Sequence, residues 1–256
     1  MTEVTYLWHD GFSVHKSGCT LVFDYWRAGG NAGAFHIKGP LYVFISHFHK
    51  DHYDPAVVEW ASRREGVRYI VSRDVWLRMR HIMSPTSIYN GPRVHPGQVI
   101  CLTPGQSFAD EHIRVSAFPS TDVGNSYVVQ IGGDTIFHAG DLNAWIWKDE
   151  STEQEIEKSL SDFNGCLDKI QEAGFSKFDY AFFPVDSRIG SDYFMGARIF
   201  VRRFKVSRFF PMHFALGDEA ERNIRRADAI RFDNYRNPDF GEYFALTDPG
   251  QSVRFD

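Results

Sequence analysis

The chain has 256 residues, of which 43% are hydrophobic, and can bury a sizeable core, so we expect one domain spanning residues 1–256. A formal net charge of -5, with lysines and arginines spread along the chain, argues against a nucleic-acid-binding protein. The 3 cysteines lie far apart, without a C-x-x-C pair, and fit neither a disulfide framework nor a thiolate zinc site.

The sequence predicts neither a membrane segment nor an export signal. It contains no apolar run of about eighteen residues, and the N-terminus lacks a basic segment followed by an apolar one. We therefore expect a cytoplasmic protein that acts on a small-molecule substrate and binds neither nucleic acid nor membrane. Whether it forms homo-oligomers stays open.

Short strand-type runs, separated by turn residues, dominate the first half of the chain. The predicted strands are Val4–Trp8, Thr20–Phe23, Leu41–Ile45, Tyr69–Val71, Val99–Leu102, Ile113–Phe118, Tyr127–Ile131 and Thr135–His138. A helix is predicted in "DPAVVEWASRR", with Asp54 as N-cap and Pro55 in the first helical position, where a missing N–H costs nothing.

Helices and strands alternate in the second half. A long helix is predicted from Ser151, which forms a capping-box pattern with Gln154, to about Gly174. The elements predicted after it are strand Phe178–Phe183, a helix near Tyr193–Phe204, strand Arg208–Pro211 and a helix near Asp218–Ala227. Many strands with helices outside them predict a layered α/β domain with two sheets at its centre.

The stretch "FISHFHKDHYD" places 3 histidines and 2 aspartates at the end of a predicted strand. His47 and His49, two residues apart on a turn, can direct their imidazoles at one cation. Asp51 and His52 continue around the turn toward a second cation. Neutral imidazole and carboxylate suit zinc, iron or manganese. The alternative, surface histidines that cap a helix, does not account for so dense a cluster.

Two further side chains follow predicted strands in the same way. Asp141 lies in "FHAGDLN" after Thr135–His138, and His213 lies in "FFPMHF" after Arg208–Pro211. Alone, each has an ordinary explanation, a Gly-Asp turn or a packed histidine. Together with the histidine cluster, both are predicted metal ligands.

At this point the chain resembles the metallo-β-lactamase superfamily. His47, His49, Asp51 and His52 match its H-x-H-x-D-H signature, Asp141 matches its bridging aspartate, and His213 matches its last histidine. The opening "HDGFSVHKSGCTLVFDY" also looks like the family's first hairpin. There His9 resembles the histidine that lies near the metals in the ascorbate-phosphate lactonase-like branch.

The resemblance implies both a fold and a chemistry. The fold is of the α/β (α+β) class, a four-layer αββα sandwich of two mixed β-sheets flanked by helices. The site holds two divalent metal ions, with zinc as the first choice and manganese or iron as alternatives, and a hydroxide that bridges them attacks the substrate. Asp51 would orient that hydroxide or take a proton, and Asp24 would hold an imidazole N–H.

One position departs from the family pattern. Where the family supplies a third histidine, this chain has "AFPSTDVGNSYVV", which places Thr121 at that position and Asp122 next to it. The first metal then has a carboxylate from Asp122, a water, or no third ligand from the protein. We predict Asp122 as the ligand, and a carboxylate would favour manganese or iron more than imidazole does. The alternative is that Asp122 caps a turn.

Other residues are candidates for contacts with the substrate. Trp145 and Trp147 could wall a pocket or pack beneath the long helix. Asp186 and Arg188 lie in a loop after a strand, where Arg188 could clamp an anionic group or form an internal pair with Asp186. His9 is the remaining candidate.

These residues predict a metal-dependent hydrolase of a small ester, lactone or phosphoester. A phosphodiesterase or nuclease of the same fold is the alternative among enzymes. A non-catalytic member of the family that only binds metal is the alternative from another class, because the third histidine is missing.

Overall fold

The computed structural model of the protein describes residues 1–27, 37–231 and 240–256. The strands are β1 Thr2–Trp8, β2 Gly11–Lys16, β3 Cys19–Phe23, β4 Leu41–Ile45, β5 Val67–Val71, β6 Val99–Cys101, β7 Ser107–Ala109, β8 Ile113–Pro119, β9 Asn125–Ile131, β10 Asp134–His138, β11 Lys177–Pro184, β12 Lys205–Met212, β13 Phe240–Tyr243 and β14 Ser252–Phe255. The α-helices are α1 Ala56–Arg63, α2 Arg73–Met83, α3 Glu153–Glu172, α4 Met195–Arg203 and α5 Glu219–Arg231.

The described strands form two 7-stranded sheets, each of them mixed. The first sheet has the order β14-β1-β2-β3-β4-β5-β6, and the second has the order β13-β12-β11-β10-β9-β8-β7. In the first sheet β14 to β3 pair antiparallel and β3 to β6 pair parallel. In the second sheet β7 to β10 pair antiparallel and β10 to β13 pair parallel.

Aromatic side chains join the two sheets and cover their outer faces. Phe12 of β2 packs against Phe182 of β11 between the sheets, with ring centroids 4.6 Å apart. Successive side chains of a strand point to opposite faces, so Phe183 points outward, and its ring lies 4.9 Å from that of Phe200 in α4. On the outside of the first sheet, the Tyr69 hydroxyl donates to the Val57 carbonyl of α1 at 2.6 Å. Helices therefore flank both sheets, which confirms the predicted αββα sandwich.

Most predicted strands are present with small changes of boundary, and Leu41–Ile45 is unchanged. The capping box of α3 is formed by Thr152 and Glu155, one residue after the predicted Ser151 and Gln154. Helix α1 begins at Ala56, after the proline, although the Asp54 carboxylate still accepts the Ala56 N–H at 2.8 Å. Helix α2 and strands β7, β13 and β14 were not predicted, and β2 was expected only as part of the opening hairpin.

Parallel pairing brings several strand ends to one edge of the sandwich. β4 ends there in the first sheet, and β10, β11 and β12 end there in the second. Hydrogen bonds fix the seam between the sheets: the Asn125 N–H donates to the Ser46 carbonyl at 3.0 Å, and the Tyr127 hydroxyl donates to the Ile45 carbonyl at 3.2 Å. No helix among the described residues is both long and apolar enough to span a bilayer.

Candidate metal centre

Four side chains from three loops form what we call the first ligand group: His47, His49, Asp122 and Asp141. His47 Nε2 lies 2.9 Å from His49 Nδ1 and 3.3 Å from Asp141 Oδ2. Asp122 Oδ2 lies 3.7 Å from His49 Nδ1. One ligand atom from each of the four lies within 4.8 Å of the others. The side chains of His49 and Asp122 are 54% and 43% exposed, so this group is open to solvent.

A second ligand group lies deeper and shares Asp141 with the first: Asp10, His52, Asp141 and His213. Asp141 Oδ1 lies 3.0 Å from His52 Nε2 and 3.2 Å from His213 Nε2. All four side chains are buried. Asp51 lies beside this group. A ligand atom of Asp51 lies within 4.8 Å of ligand atoms of Asp10 and His213, in an overlapping set that also contains His9.

Buried carboxylates orient two of these imidazoles. His52 Nδ1 lies 2.8 Å from Asp24 Oδ2, and His213 Nδ1 lies 2.8 Å from Asp186 Oδ2. A carboxylate can only accept, so each Nδ1 carries a hydrogen, and Nε2 of the neutral ring can bind a cation in the ligand group. Asp24 also accepts the Ser46 N–H at 2.7 Å, which fixes it beneath the H-x-H-x-D-H loop. This is the arrangement that holds metal-ligating histidines in proteins.

The backbone at the site is strained and tightly packed. Of the five non-glycine residues with positive φ in the described chain, four belong to this site: His9, Asp24, Trp145 and His213. Gly124 has φ +82°, and a Cβ there would lie 2.1 Å from the Ser46 carbonyl oxygen. Only glycine allows the β8–β9 loop to approach the histidine loop so closely.

The carboxylates of the site shift the pKa values of the buried imidazoles. Burial alone would lower the pKa of His52, but the carboxylates of Asp141 and Asp10 raise it well above its ordinary value. Burial would also lower the pKa of His213, and the same two carboxylates raise it well above the ordinary value. Burial raises the pKa of Asp10 to about 8. The second ligand group therefore attracts positive charge, which in this fold a metal ion would supply.

Both ligand groups fit divalent cations. Ligand atoms about 2.0 to 2.2 Å from one cation lie about 2.8 to 3.6 Å from each other, in octahedral or tetrahedral geometry. The separations of 2.9 to 3.3 Å given above for the two groups fall in this range, and the 3.7 Å between Asp122 and His49 is slightly longer. In addition, His52 Nε2 and Asp141 Oδ1 are buried and have no hydrogen-bond partner in the described chain. Unpartnered buried polar atoms are rare, and a cation between them would satisfy both.

The family model described as a beta-lactamase superfamily domain matches residues 3–157, more than half of the chain. The protein belongs to the beta-lactamase superfamily. A search of curated proteins gave no match.

Solved structures share the superfamily fold with this chain at low sequence identity. Igni18, a metallo hydrolase from the archaeon Ignicoccus hospitalis, superposes with a TM-score of 0.60 at 16% identity, over 100% of this chain and 99% of that chain. The metallo-beta-lactamase fold protein YhfI from Bacillus subtilis gives 0.55 at 12%, over 99% and 100% of the two chains. CmlA, a diiron beta-hydroxylase from Streptomyces venezuelae, gives 0.57 at 13%, over 99% of this chain and 54% of that one.

The structure distinguishes the two side chains, Thr121 and Asp122, that were considered from the sequence as replacements for a third histidine. The Thr121 hydroxyl donates to the Asn143 carbonyl at 2.6 Å and accepts the Asn143 N–H at 3.1 Å. Thr121 therefore ties its loop to the segment after Asp141, and its hydroxyl is engaged there. The Asp122 carboxylate, in contrast, lies within the first ligand group.

A cleft of about 380 Å³ opens onto both ligand groups, and four of the residues that line it are Asp51, Asp122, Asp141 and His213. Trp145 also lines the cleft, and its indole N–H donates to the Asp141 carbonyl at 2.8 Å. Trp147, 39% exposed, and Leu216 add an apolar wall. The predicted pocket aromatics thus face the cleft.

Of the three remaining side chains predicted to contact the substrate, Arg188 is partly exposed, and Asp186 and His9 are buried. Arg188 forms the predicted internal pair with Asp186 and also lines the cleft, so contact with an anionic group stays a prediction. Asp186 and His9 are fully buried, do not line the cleft, and cannot be reached by a substrate there. Asp186 instead orients His213 and Arg188, and His9 lies at the back of the second ligand group.

Asp10 was not among the site residues predicted from the sequence. It follows His9 in the tight β1–β2 turn, where an acid is usually exposed, and no periodic pattern marks it as buried. The only available signal was a second ligand-type residue directly beside His9.

Proposed function

We propose that the protein is a metal-dependent hydrolase that acts on a small ester, lactone or phosphoester. One observation carries this proposal: two ligand groups that share Asp141 lie at the base of a cleft of about 380 Å³. A cleft of this size suits a small molecule.

Two sets of side chains would hold the cations. His47, His49, Asp122 and Asp141 would hold the first, and Asp51, His52, Asp141 and His213 the second. Zinc is our first choice, with manganese and iron as alternatives. When bound, a pair of divalent cations lowers the pKa of bound water toward about 7 and polarises the carbonyl or phosphoryl oxygen of the substrate.

Asp51 is placed to handle a proton in this reaction. Burial would raise the pKa of its carboxyl, but the His9 N–H and the nearby His52 hold that pKa well below its ordinary value. Its side chain is 20% exposed and lines the cleft. An ionised carboxylate that faces both the cleft and the ligand group can orient a water molecule and accept its proton.

Arg188 and the apolar wall would position the substrate. Nε and Nη2 of Arg188 contact Asp186, so the guanidinium is held in a fixed orientation while the side chain stays 30% exposed in the cleft. An anionic group of the substrate could then accept a hydrogen bond from Nη1. Trp147 and Leu216 would contact the apolar part of the same molecule.

The alternatives fit the cleft less well. Arg188 is the only lysine or arginine among the residues found to line it within the described chain, whereas a nuclease needs several cations along a phosphate backbone. A purely structural metal site is closed, whereas the exposure of His49 and Asp122 leaves the first position accessible.

The test is a hydrolysis screen of lactones, phosphodiesters and thioesters. Protein stripped with a chelator is reconstituted separately with zinc, manganese and iron, and Asp141→Asn serves as the control for contaminating hydrolases. We expect metal-dependent turnover of a small ester, lactone or phosphoester that the control lacks. Absence of turnover with every metal, in protein shown to bind two cations, would refute the proposed function.

A further inference from the structure

Asp10 is a buried carboxylate that the described part of the chain leaves unpartnered. Its side chain is 0% exposed, and neither Oδ1 nor Oδ2 has a hydrogen-bond partner among the described residues. A charged carboxylate buried without partners is strongly unfavourable, so the side chain either carries a proton or has its charge balanced by a cation.

Both sheets hold the turn that carries Asp10 in place. The His9 N–H donates to the Tyr6 hydroxyl at 2.8 Å, and the His9 carbonyl accepts the His213 N–H at 3.2 Å. His138 Nε2 lies 3.0 Å from the Asp10 carbonyl, as donor to it. These hydrogen bonds fix the turn, so the position of the Asp10 carboxylate is well defined.

The side chain is directed into the second ligand group. Asp10 Oδ2 lies 3.3 Å from His52 Nε2 and 3.3 Å from His9 Nε2. A ligand atom of Asp10 also lies within 4.8 Å of those of Asp141 and His213. The His52 separation falls in the range of about 2.8 to 3.6 Å that two ligands of one cation adopt.

His9 and His52 have different roles, because the two rings carry their hydrogens on different nitrogen atoms. His9 Nδ1 accepts the Ala215 N–H at 3.1 Å, so the hydrogen of the neutral ring lies on Nε2, toward Asp10 and Asp51. His9 Nε2 thus presents a hydrogen, and not a lone pair, on this side, although it forms no hydrogen bond in the described chain. His52 Nε2, in contrast, presents a lone pair to Asp10, because its Nδ1–H donates to Asp24. Nε2 and the Asp10 and Asp141 oxygens that face it need a positive charge between them, which a bound cation would supply in place of a proton.

We propose that Asp10 is a further carboxylate ligand of the second cation, and that it shifts the second position toward manganese or iron. This inference rests on the proposed metal centre. With Asp10, the second position has three carboxylates and two imidazoles, from Asp51, His52, Asp141 and His213 besides Asp10. Five protein ligands exceed the four of tetrahedral zinc sites, and carboxylate oxygen suits manganese and iron.

The test is Asp10→Asn, which keeps the shape of the side chain and removes its charge. Chelator-stripped protein is titrated with manganese and, separately, with zinc, by calorimetry and elemental analysis. Removal of a residue that only supports a ligand weakens binding by about 10- to 100-fold. We therefore expect the second manganese ion to bind at least about tenfold more weakly, zinc to lose less, and the first position to be unchanged.

Asp179→Asn is the matched control. Asp179 lies near the other end of β11, where its partly buried carboxylate accepts the Thr135 N–H at 2.9 Å. The Asp179→Asn substitution makes the same chemical change away from the ligand groups, so the affinities for both cations should stay at the wild-type values. Equal affinities in Asp10→Asn and in this control would overturn the assignment.

Thermal melting separates a ligand from a merely structural residue. The metal-free Asp10→Asn variant should melt at the same temperature as metal-free wild type or higher, because the carboxyl group that it replaces is buried without a hydrogen-bond partner in the described chain. The increase in melting temperature on adding manganese should be smaller than in wild type. A variant with a lower metal-free melting temperature and an unchanged manganese response would assign Asp10 a structural role instead.

Wild-type protein gives a test that does not depend on how the variant folds. In a structure with manganese bound, an Asp10 oxygen should lie within about 2.5 Å of the second ion, and a clearly longer distance would overturn the proposal. If wild type binds no second cation, this inference and the proposed function fail together. If it binds two but hydrolyses nothing, only the proposed function fails.

Discussion

Replacement of Asp122 by alanine should remove the first cation selectively and leave the fold intact. The Asp122 side chain is 43% exposed, and its N–H, which donates to Ser120 Oγ at 3.3 Å, is retained in alanine. The free energy of unfolding of the metal-free protein should therefore change by no more than about 0.5 kcal/mol. The first position, however, falls from four protein ligands to three. Since loss of a supporting partner already costs about 10- to 100-fold in affinity, loss of this ligand should cost about 100-fold or more, roughly 2.7 kcal/mol.

Calorimetric titration of chelator-stripped protein with zinc measures this effect. Wild type should show two binding events and Asp122→Ala one strong event, with one ion per chain by elemental analysis. Urea unfolding of the metal-free proteins reports the stability. Asp162→Ala is the control, because it removes an exposed carboxylate of α3 whose ion pair with Lys158 contributes at most about 0.5 kcal/mol. Two strong events in Asp122→Ala would mean that water completes the first position.

Three other changes test separate parts of the site. Asp141→Asn should lower the occupancy of both positions and abolish metal-dependent hydrolysis while urea unfolding of the metal-free protein changes little; normal metal content would contradict the shared role. Arg188→Ala should raise KM for an anionic substrate by about 10- to 150-fold, the equivalent of a charged hydrogen bond of about 1.5 to 3 kcal/mol. An unchanged KM with a lower melting temperature would instead mean that its pair with Asp186 is purely internal. Gly124→Ala should destabilise the protein by at least about 1 to 3 kcal/mol, the cost of its backbone conformation alone, and a wild-type unfolding curve would refute the close packing described for this loop.

The parts of the fold with a local signal could be predicted from the sequence. Leu41–Ile45 is a continuous apolar run bounded by turn residues, and its predicted bounds agree with β4. Helix α2 also carried a signal, because its buried residues Val75, Met79 and Ile82 have helical spacing, but polar and charged residues between them obscured it. The capping box of α3 was misplaced by one residue because Ser151 and Thr152 are adjacent and both can cap.

The same distinction applies to the candidate site: some of its residues have a local sequence motif, and others depend on tertiary contacts. The motif from His47 to His52 is local, and the structure places these residues beside Asp141 and His213 as expected. Asp10 has no local signal, because its burial depends on a turn held by the second sheet. The roles of Asp186 and Arg188 could not be separated either, since a pair two residues apart gives the same pattern whether it faces the protein or the cleft.

Each ligand group contains metal-ligating side chains from both sheets. His47, His49, Asp51 and His52 follow β4 of the first sheet, whereas Asp141 and His213 follow β10 and β12 of the second. Cations bound as proposed would thus act as cross-links across the seam between the sheets. During synthesis, the whole H-x-H-x-D-H motif emerges with the N-terminal half of the chain, before the strand that precedes His213 has been made. Metal uptake at the second position would then mark the completion of folding, and a chelator should loosen the seam before it melts either sheet.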